Sequence, residues 1–198
     1  MIKTTVTGAG NAKDAIEKAL KEFMTDKYVT VGIHEDAGQH EDDGITNAQL
    51  GAVHEFGANI NHPGGTSYGY STKQAADDGE VRFLKKGAGY AELGVTGAHA
   101  IKIPARPWLA PGVESGNEEY LKIIADGIEN KKPLDKLLNI VGVVAVGKVQ
   151  QYMTELRSPP NAKSTIAKKG SSNPLIDTGA LRQSVTFKVT SEKPTEGV

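Results

Sequence analysis

The sequence predicts an α+β fold: a mixed or antiparallel sheet flanked by helices, with a long Gly-rich central insertion loop and extended arms. Three observations predict it. Tyr28–His34 ("YVTVGIH") alternates and is β-branched, as a half-buried strand does. From Pro133 to about Arg157, apolar residues recur at helical spacing over six turns. Between these lies a Gly-rich stretch that accommodates no long element. The chain has 198 residues, of which 38% are hydrophobic and 6% aromatic, enough to build one core. Residues 1–198 therefore read as a single domain, with residues 58–100 as the insertion loop and residues 158–173 as a mobile arm.

Taken in order, Asn11 or Asp14 starts a first helix whose stripe is Ile16, Ala19, Leu20 and Phe23. The Tyr28 strand follows. After an acidic loop, Thr46 caps a short helix with Leu50, Val53 and Phe56 on one face, and Gly57 ends it. The central stretch carries glycines at 64, 65, 69, 79, 87, 89, 94 and 97 and one clear strand, Val81–Lys85. A loop of that length inside a compact domain is functional or orders on contact. The strand "AIKIPA" leads into "IPARPWL" (Ile103–Leu109), where Pro104 and Pro107 make a stiff, extended corner around Arg106. Trp108, the single tryptophan, reads either as a core plug or as an interface anchor.

Two helices come next. The first runs from Val113 to about Asn130 with Tyr120, Ile123, Ile124 and Ile128. The second starts at Pro133 and carries Leu134, Leu137, Leu138, Val141, Val144, Ala145, Val149, Tyr152 and Leu156, the predicted core stripe. "SPPNAKS" ends it. Thr178 caps one turn, "GALRQS", and Val185–Val189 alternates as a final strand.

Composition excludes several kinds of chemistry. There is no cysteine, so disulfides, thiolate metal sites and a thiol nucleophile are ruled out. With 23 basic and 24 acidic residues the net charge is −1, too little for a global field that attracts nucleic acid. Charge is biased locally: Glu35 to Asp43 holds five carboxylates, and the tail from Ser158 carries six Lys/Arg against three acids. The start "MIKTTVTGAG" lacks the apolar region of a signal peptide, and no apolar run reaches membrane-spanning length.

Candidate catalytic motifs fail on spacing. "GVVAVGKV" at Gly142–Val149 matches GxxxxGK, but Val149 stands where magnesium binding needs Ser or Thr, and the glycines lie inside a helical pattern. "HEFGANINH" lacks the second histidine four residues after His54 that a zinc-peptidase helix requires, since position 58 is Ala. His34, His40, His54 and His62 remain a set that space could gather. Asp42/Asp43 and Asp77/Asp78 sit in Gly-rich loops with nothing to shift them toward acid–base work. No catalytic, cofactor or metal residue is assigned.

Four segments in a fixed order carry a resemblance: "VHEFGA" at Val53–Ala58, "HPGGT" at His62–Thr66, "IPARPWL" at Ile103–Leu109 and "PLIDTGALRQS" at Pro174–Ser184. In these the chain resembles tailed-bacteriophage virion morphogenesis proteins: neck, head–tail joining or tail-completion proteins. The likeness spans roughly Tyr28 to Val189, with Trp108 where the family carries Phe. It implies an α+β fold and a homo-oligomeric ring between capsid portal and tail, six-fold because tails are. It also implies no enzymatic activity and a place in the virion after assembly in the host cytoplasm. Its partners would be its own copies and the neighbouring neck, portal-side and tail proteins, with weak contact to genomic DNA in the channel. Interface candidates are Arg106, Trp108, Asp177, Arg182, His62, Tyr68 and Tyr70; Asp177 and Arg182 pair either locally or across subunits. Two other readings stand beside this one: a DNA-binding accessory protein using the basic C-terminal arm, and a metal-dependent hydrolase built on the histidine set.

Overall fold

The computed structural model describes residues 26–34, 44–85 and 88–193. The fold is α+β, built from helices and small antiparallel sheets. Contacts divide the chain into two units, one of residues 1–55 and 106–198 and one of Phe56–Ala105. The predicted first helix lies outside the described residues.

In the larger unit, β1 (Tyr28–Gly32) pairs antiparallel with β7 (Thr186–Thr190), from Tyr28 opposite Thr190 to Gly32 opposite Thr186. The helices are α1 (Asn47–Phe56), α3 (Leu109–Glu114), α4 (Asn117–Glu129), α5 (Leu134–Glu155), α6 (Lys163–Lys169) and α7 (Ala180–Gln183). Helix α1 opens on a reciprocal cap: Gln49 N donates to Thr46 Oγ1 (3.1 Å) and Thr46 N to Gln49 Oε1 (3.0 Å). Helix α5 starts after Pro133, as the sequence predicts, and Lys27 forms an ion pair with Asp135 in its first turn.

The core forms on α5. Leu134, Leu137, Ala145, Val149 and Met153 are buried along it. Val149 and Met153 join Trp108, Leu175, Leu181 and Val185 in one cluster, with Val31, Leu50, Leu109 and Val113 packed against it. Gly142 is where α5 meets the small sheet: a Cβ there would lie 2.1 Å from Phe187 Cδ2 on β7. Gly147 meets nothing within 4 Å. The expected helix from Val113 to Asn130 is two helices, α3 and α4, broken between Glu114 and Asn117. Residues 158–173, read from the sequence as a mobile arm, contain α6 and several hydrogen bonds described below.

The smaller unit departs most from expectation. Where a loop with one strand, followed by the strand "AIKIPA", was expected, it holds β2 (Ala58–His62), β3 (Ser67–Tyr70), α2 (Lys73–Asp77), β4 (Arg82–Phe83), β5 (Ala91–Val95) and β6 (His99–Ile103), the last overlapping the expected "AIKIPA" strand. β2 pairs antiparallel with β6, and β3 lies between β4 and β5. The expected strand Val81–Lys85 contracts to Arg82–Phe83. The glycines do not forbid these strands, because every strand is short and some require them. Gly69 is one such case: a Cβ on it would lie 2.1 Å from Ala91 O of the paired strand. Gly57 is another: its φ is +74°, and a Cβ would stand 2.8 Å from Ala105 N and from Ile103 O.

Candidate functional site

The geometry of the larger unit centres on the segments the sequence singled out. The end of α1 and the "ARPWL" corner are joined by four hydrogen bonds. Arg106 N donates to His54 O (2.6 Å), and the Trp108 indole N–H donates to Gly51 O (3.1 Å). Trp108 N and Leu109 N both donate to Glu55 Oε2, at 2.7 and 2.9 Å. Glu55 therefore caps α3 from another helix, with a carboxylate where the helix dipole favours negative charge. Pro107, which has no N–H, ends the preceding extended stretch.

Arg106 turns the other way. The residue is 5% exposed, and its guanidinium donates from Nε to Pro159 O (2.8 Å) and from Nη2 to Pro160 O (3.1 Å). Burial pulls it below its ordinary range. It makes no ion pair among the described residues, so its charge is met by peptide dipoles rather than by a carboxylate. The chain it holds runs on to Asn161, whose Nδ2 donates to Asn173 O (3.2 Å). Asn173 then organises "NPLID": its Oδ1 accepts from Leu175 N (2.9 Å) and Ile176 N (3.0 Å), and its Nδ2 donates to Thr154 O (2.9 Å) on α5. Lys169 Nζ also donates to Asn173 O (2.7 Å).

Beside these links lies a half-open pocket of about 240 Å³. Leu50, Leu175 and Leu181 give it an apolar wall, and His54, Lys169 and Asp177 stand at its polar side. His54 Nδ1 is buried and has no hydrogen-bond partner. Burial, with Arg106 and Lys169 nearby, holds the His54 pKa down at about 4. The imidazole is therefore neutral at physiological pH. Lys169 is also lowered, chiefly by burial; Asp177 opposes that shift and Arg106 adds to it.

Arg106 and Trp108, expected as interface anchors, are buried at 5% and 3% exposure and spend their donors on this unit's own backbone. The sequence left Trp108 open between core and interface; the fold puts it in the core cluster. Asp177 and Arg182 form no ion pair among the described residues: Arg182 Nη1 donates to Thr154 Oγ1 (3.2 Å), and Asp177 lines the cavity. In the smaller unit, His62 stacks on His99 (5.0 Å between centroids) and accepts from Gly64 N at Nδ1 (3.0 Å). Gly65 N and Thr66 N of "HPGGT" donate to Thr96 O (2.8 Å) and Thr96 Oγ1 (3.1 Å), tying that loop to the end of β5. Tyr68 and Tyr70 lie on β3, half-buried.

Of the histidine set, His54 is in the larger unit's cavity and His62 is in the smaller unit. His34 contacts Thr186 Oγ1 (2.8 Å), and His40 is outside the described residues. Among the described residues no three His, Cys, Asp or Glu side chains are grouped to hold a metal ion. The GxxxxGK match lies wholly within α5, and its Lys148 pairs with Glu119 at 2.9 Å. No helix among the described residues is long and apolar enough to cross a membrane. Sequence reading missed Glu55, Asn173 and Lys169. Only Asn173 carried a local signal, since Asn before Pro favours an Asx turn.

No protein family, curated protein or solved structure matches the chain.

Proposed function

We propose that this chain is a structural subunit of a tailed-phage virion. It assembles with copies of itself into a ring of the neck, joining the portal complex to the tail, and performs no catalysis. The order of the four segments supports this reading. The observation that carries it is the surface of Phe56–Ala105. Among the described hydrophobic residues of that unit, Ala75 alone is buried, while Phe83 is 71% exposed and Tyr90 and Val95 are each 57% exposed. Small sheets without a core of their own are marginal in water. The outer edges of β4 and β5 carry backbone groups with no strand beside them among the described residues. A second copy of the chain supplies both apolar cover and strand partners. A closed ring needs this kind of contact, one face of a subunit against a different face of the next. Weak contact with the DNA passing through such a ring is part of the same proposal.

The test is mass photometry and negative-stain microscopy of the purified chain, beside the double variant Phe83→Ser/Leu93→Ser. Rings in the wild type, with monomers of unchanged far-ultraviolet circular dichroism in the variant, are expected. A strict monomer at high concentration that is also missing from purified particles sinks the proposal.

A further inference from the structure

We propose that the outward side of α4 is the second face of the subunit contact, and that its occupant is the β4 segment of another copy of this chain. Phe83 of that copy seats over Ala125, between Leu121 and Ile128. The inference rests on the ring reading, for which it names the surface that receives the smaller unit of the next subunit.

The argument starts from α4 itself. Its inward side is used within the subunit: Gly127 is buried against Leu137 of α5, and Tyr120, Ile123 and Ile124 are half-buried. A surface helix ordinarily keeps one apolar stripe and turns polar residues outward. Helix α4 has a second stripe. Leu121, Ala125 and Ile128 fall at i, i+4 and i+7 and are all exposed, so two large side chains flank a small one along about 10 Å of helix. Leu121 is 72% exposed and Phe83 is 71% exposed. These are the two highest values among the exposed large hydrophobics of the described residues, and one lies in each unit. A bulky ring on one copy and a hollow over a small residue on the next are complementary shapes.

Charge selects the occupant. Around the stripe, α4 exposes Glu118, Asp126 and Glu129 against Lys122. A second α4 laid on this one would bring like charges together, which an interface disfavours. The β4 segment has the opposite sign. Arg82 and Lys85 flank Phe83 and are exposed, and the segment's one acid, Glu80, is already paired with Arg82 (3.0 Å). That pair is exposed at both ends and so holds Arg82 only weakly. β4 is also an outer strand of its sheet among the described residues, and Val81 beside it is 51% exposed. A helix laid there covers apolar surface and a strand edge that the subunit itself leaves open.

Mass photometry of the full chain, read as the concentration of half-assembly, is the test. Leu121→Ser should raise that concentration about tenfold or more, as loss of one buried leucine implies, with unchanged far-ultraviolet circular dichroism. The charge reversals Arg82→Glu/Lys85→Glu and Asp126→Lys/Glu129→Lys should each weaken assembly about tenfold. An equimolar mixture of the two reversed chains should return to within about twofold of the wild type, because in an alternating ring every contact joins opposite charges. The inference is overturned if Leu121→Ser assembles as readily as the wild type, or if the mixed reversed chains assemble no better than either alone. Either result beside a wild type that forms rings leaves the ring reading standing. A wild type that stays monomeric at high concentration overturns this inference outright, whereas the ring reading then falls only if the chain is also missing from purified particles.

Discussion

Replacing Gly142 and, separately, Gly147 by alanine distinguishes packing from helix propensity within a single helix. Both residues are interior to α5, so each substitution gains about 1 kcal/mol from propensity alone. At Gly147 nothing lies within 4 Å of the new methyl group, and the gain stands. At Gly142 the methyl would lie 2.1 Å from Phe187 Cδ2 and 2.5 Å from Cε2 and Cγ. Carbon atoms in contact sit about 3.5–4.0 Å apart, so the ring must retreat by more than an ångström. It cannot do so freely, because Phe187 is on β7 and its backbone is paired with Val31 of β1. Overpacking of this kind costs about 1–3 kcal/mol. Set against the propensity gain, Gly142→Ala should run from neutral to about 2 kcal/mol destabilising. The two variants should therefore differ by about 1–3 kcal/mol, with Gly147→Ala the more stable.

Urea unfolding is the assay. With slopes of about 1–3 kcal/mol per molar for small proteins, that gap separates the two midpoints by roughly 1 M. Adding Phe187→Ala to the Gly142→Ala chain should remove the clash, so the double-mutant cycle should return a coupling energy well above the ordinary additivity error. Equal stabilisation by both alanines would refute the reasoning, because it would mean that Phe187 does not rest on Gly142.

Three further perturbations probe other parts of the larger unit. Leu137, 1% exposed and packed on Gly127 of α4, should lose about 2–5 kcal/mol on change to alanine, and a loss under about 0.5 kcal/mol in the same assay would misplace the core stripe. Glu55→Ala leaves Trp108 N and Leu109 N without their acceptor and should cost about 1–3 kcal/mol, whereas Glu55→Gln, which keeps an oxygen, should cost less; equal losses would assign the effect to side-chain packing. His54 sets a pH dependence: its folded pKa of about 4 lies below the ordinary 6.5, so the unfolded chain binds the extra proton and stability rises with pH. This contribution is complete above pH 6.5 and is lost as pH falls toward 4, at most about 2 kcal/mol of it by pH 5. His54→Gln should flatten that part of the profile, and an unchanged slope between pH 7 and 5 would show that other groups carry it.

Legibility in the sequence followed the reach of each interaction. Helix α5 was readable because its apolar positions repeat over 22 residues, and the Thr46 cap because both partners lie three residues apart. Of the strands of Phe56–Ala105, only β4 and β6 were readable. All are two to five residues long, and their partners lie far along the chain, as with Tyr68 opposite both Phe83 and Gly94. Gly69 and Gly94 break the alternation that would have marked them, yet that is where a neighbouring backbone or ring comes close. The candidate site shows the same limit more sharply. Arg106 and Trp108 stood out as residue types, but their partners are carbonyls and a carboxylate more than fifty positions away, and no local pattern announces those. Residue type at a stiff proline corner therefore identified an important place but not its direction, because Arg and Trp serve a buried framework as well as they serve an interface. It follows that "VHEFGA", "IPARPWL" and "PLIDTG" stand together because they stitch one framework. Surface for a neighbouring subunit has to be sought where apolar side chains remain uncovered, and within Phe56–Ala105 those include Phe83, Tyr90, Leu93 and Val95, beside Phe56, Ile60, Val81 and Ile101.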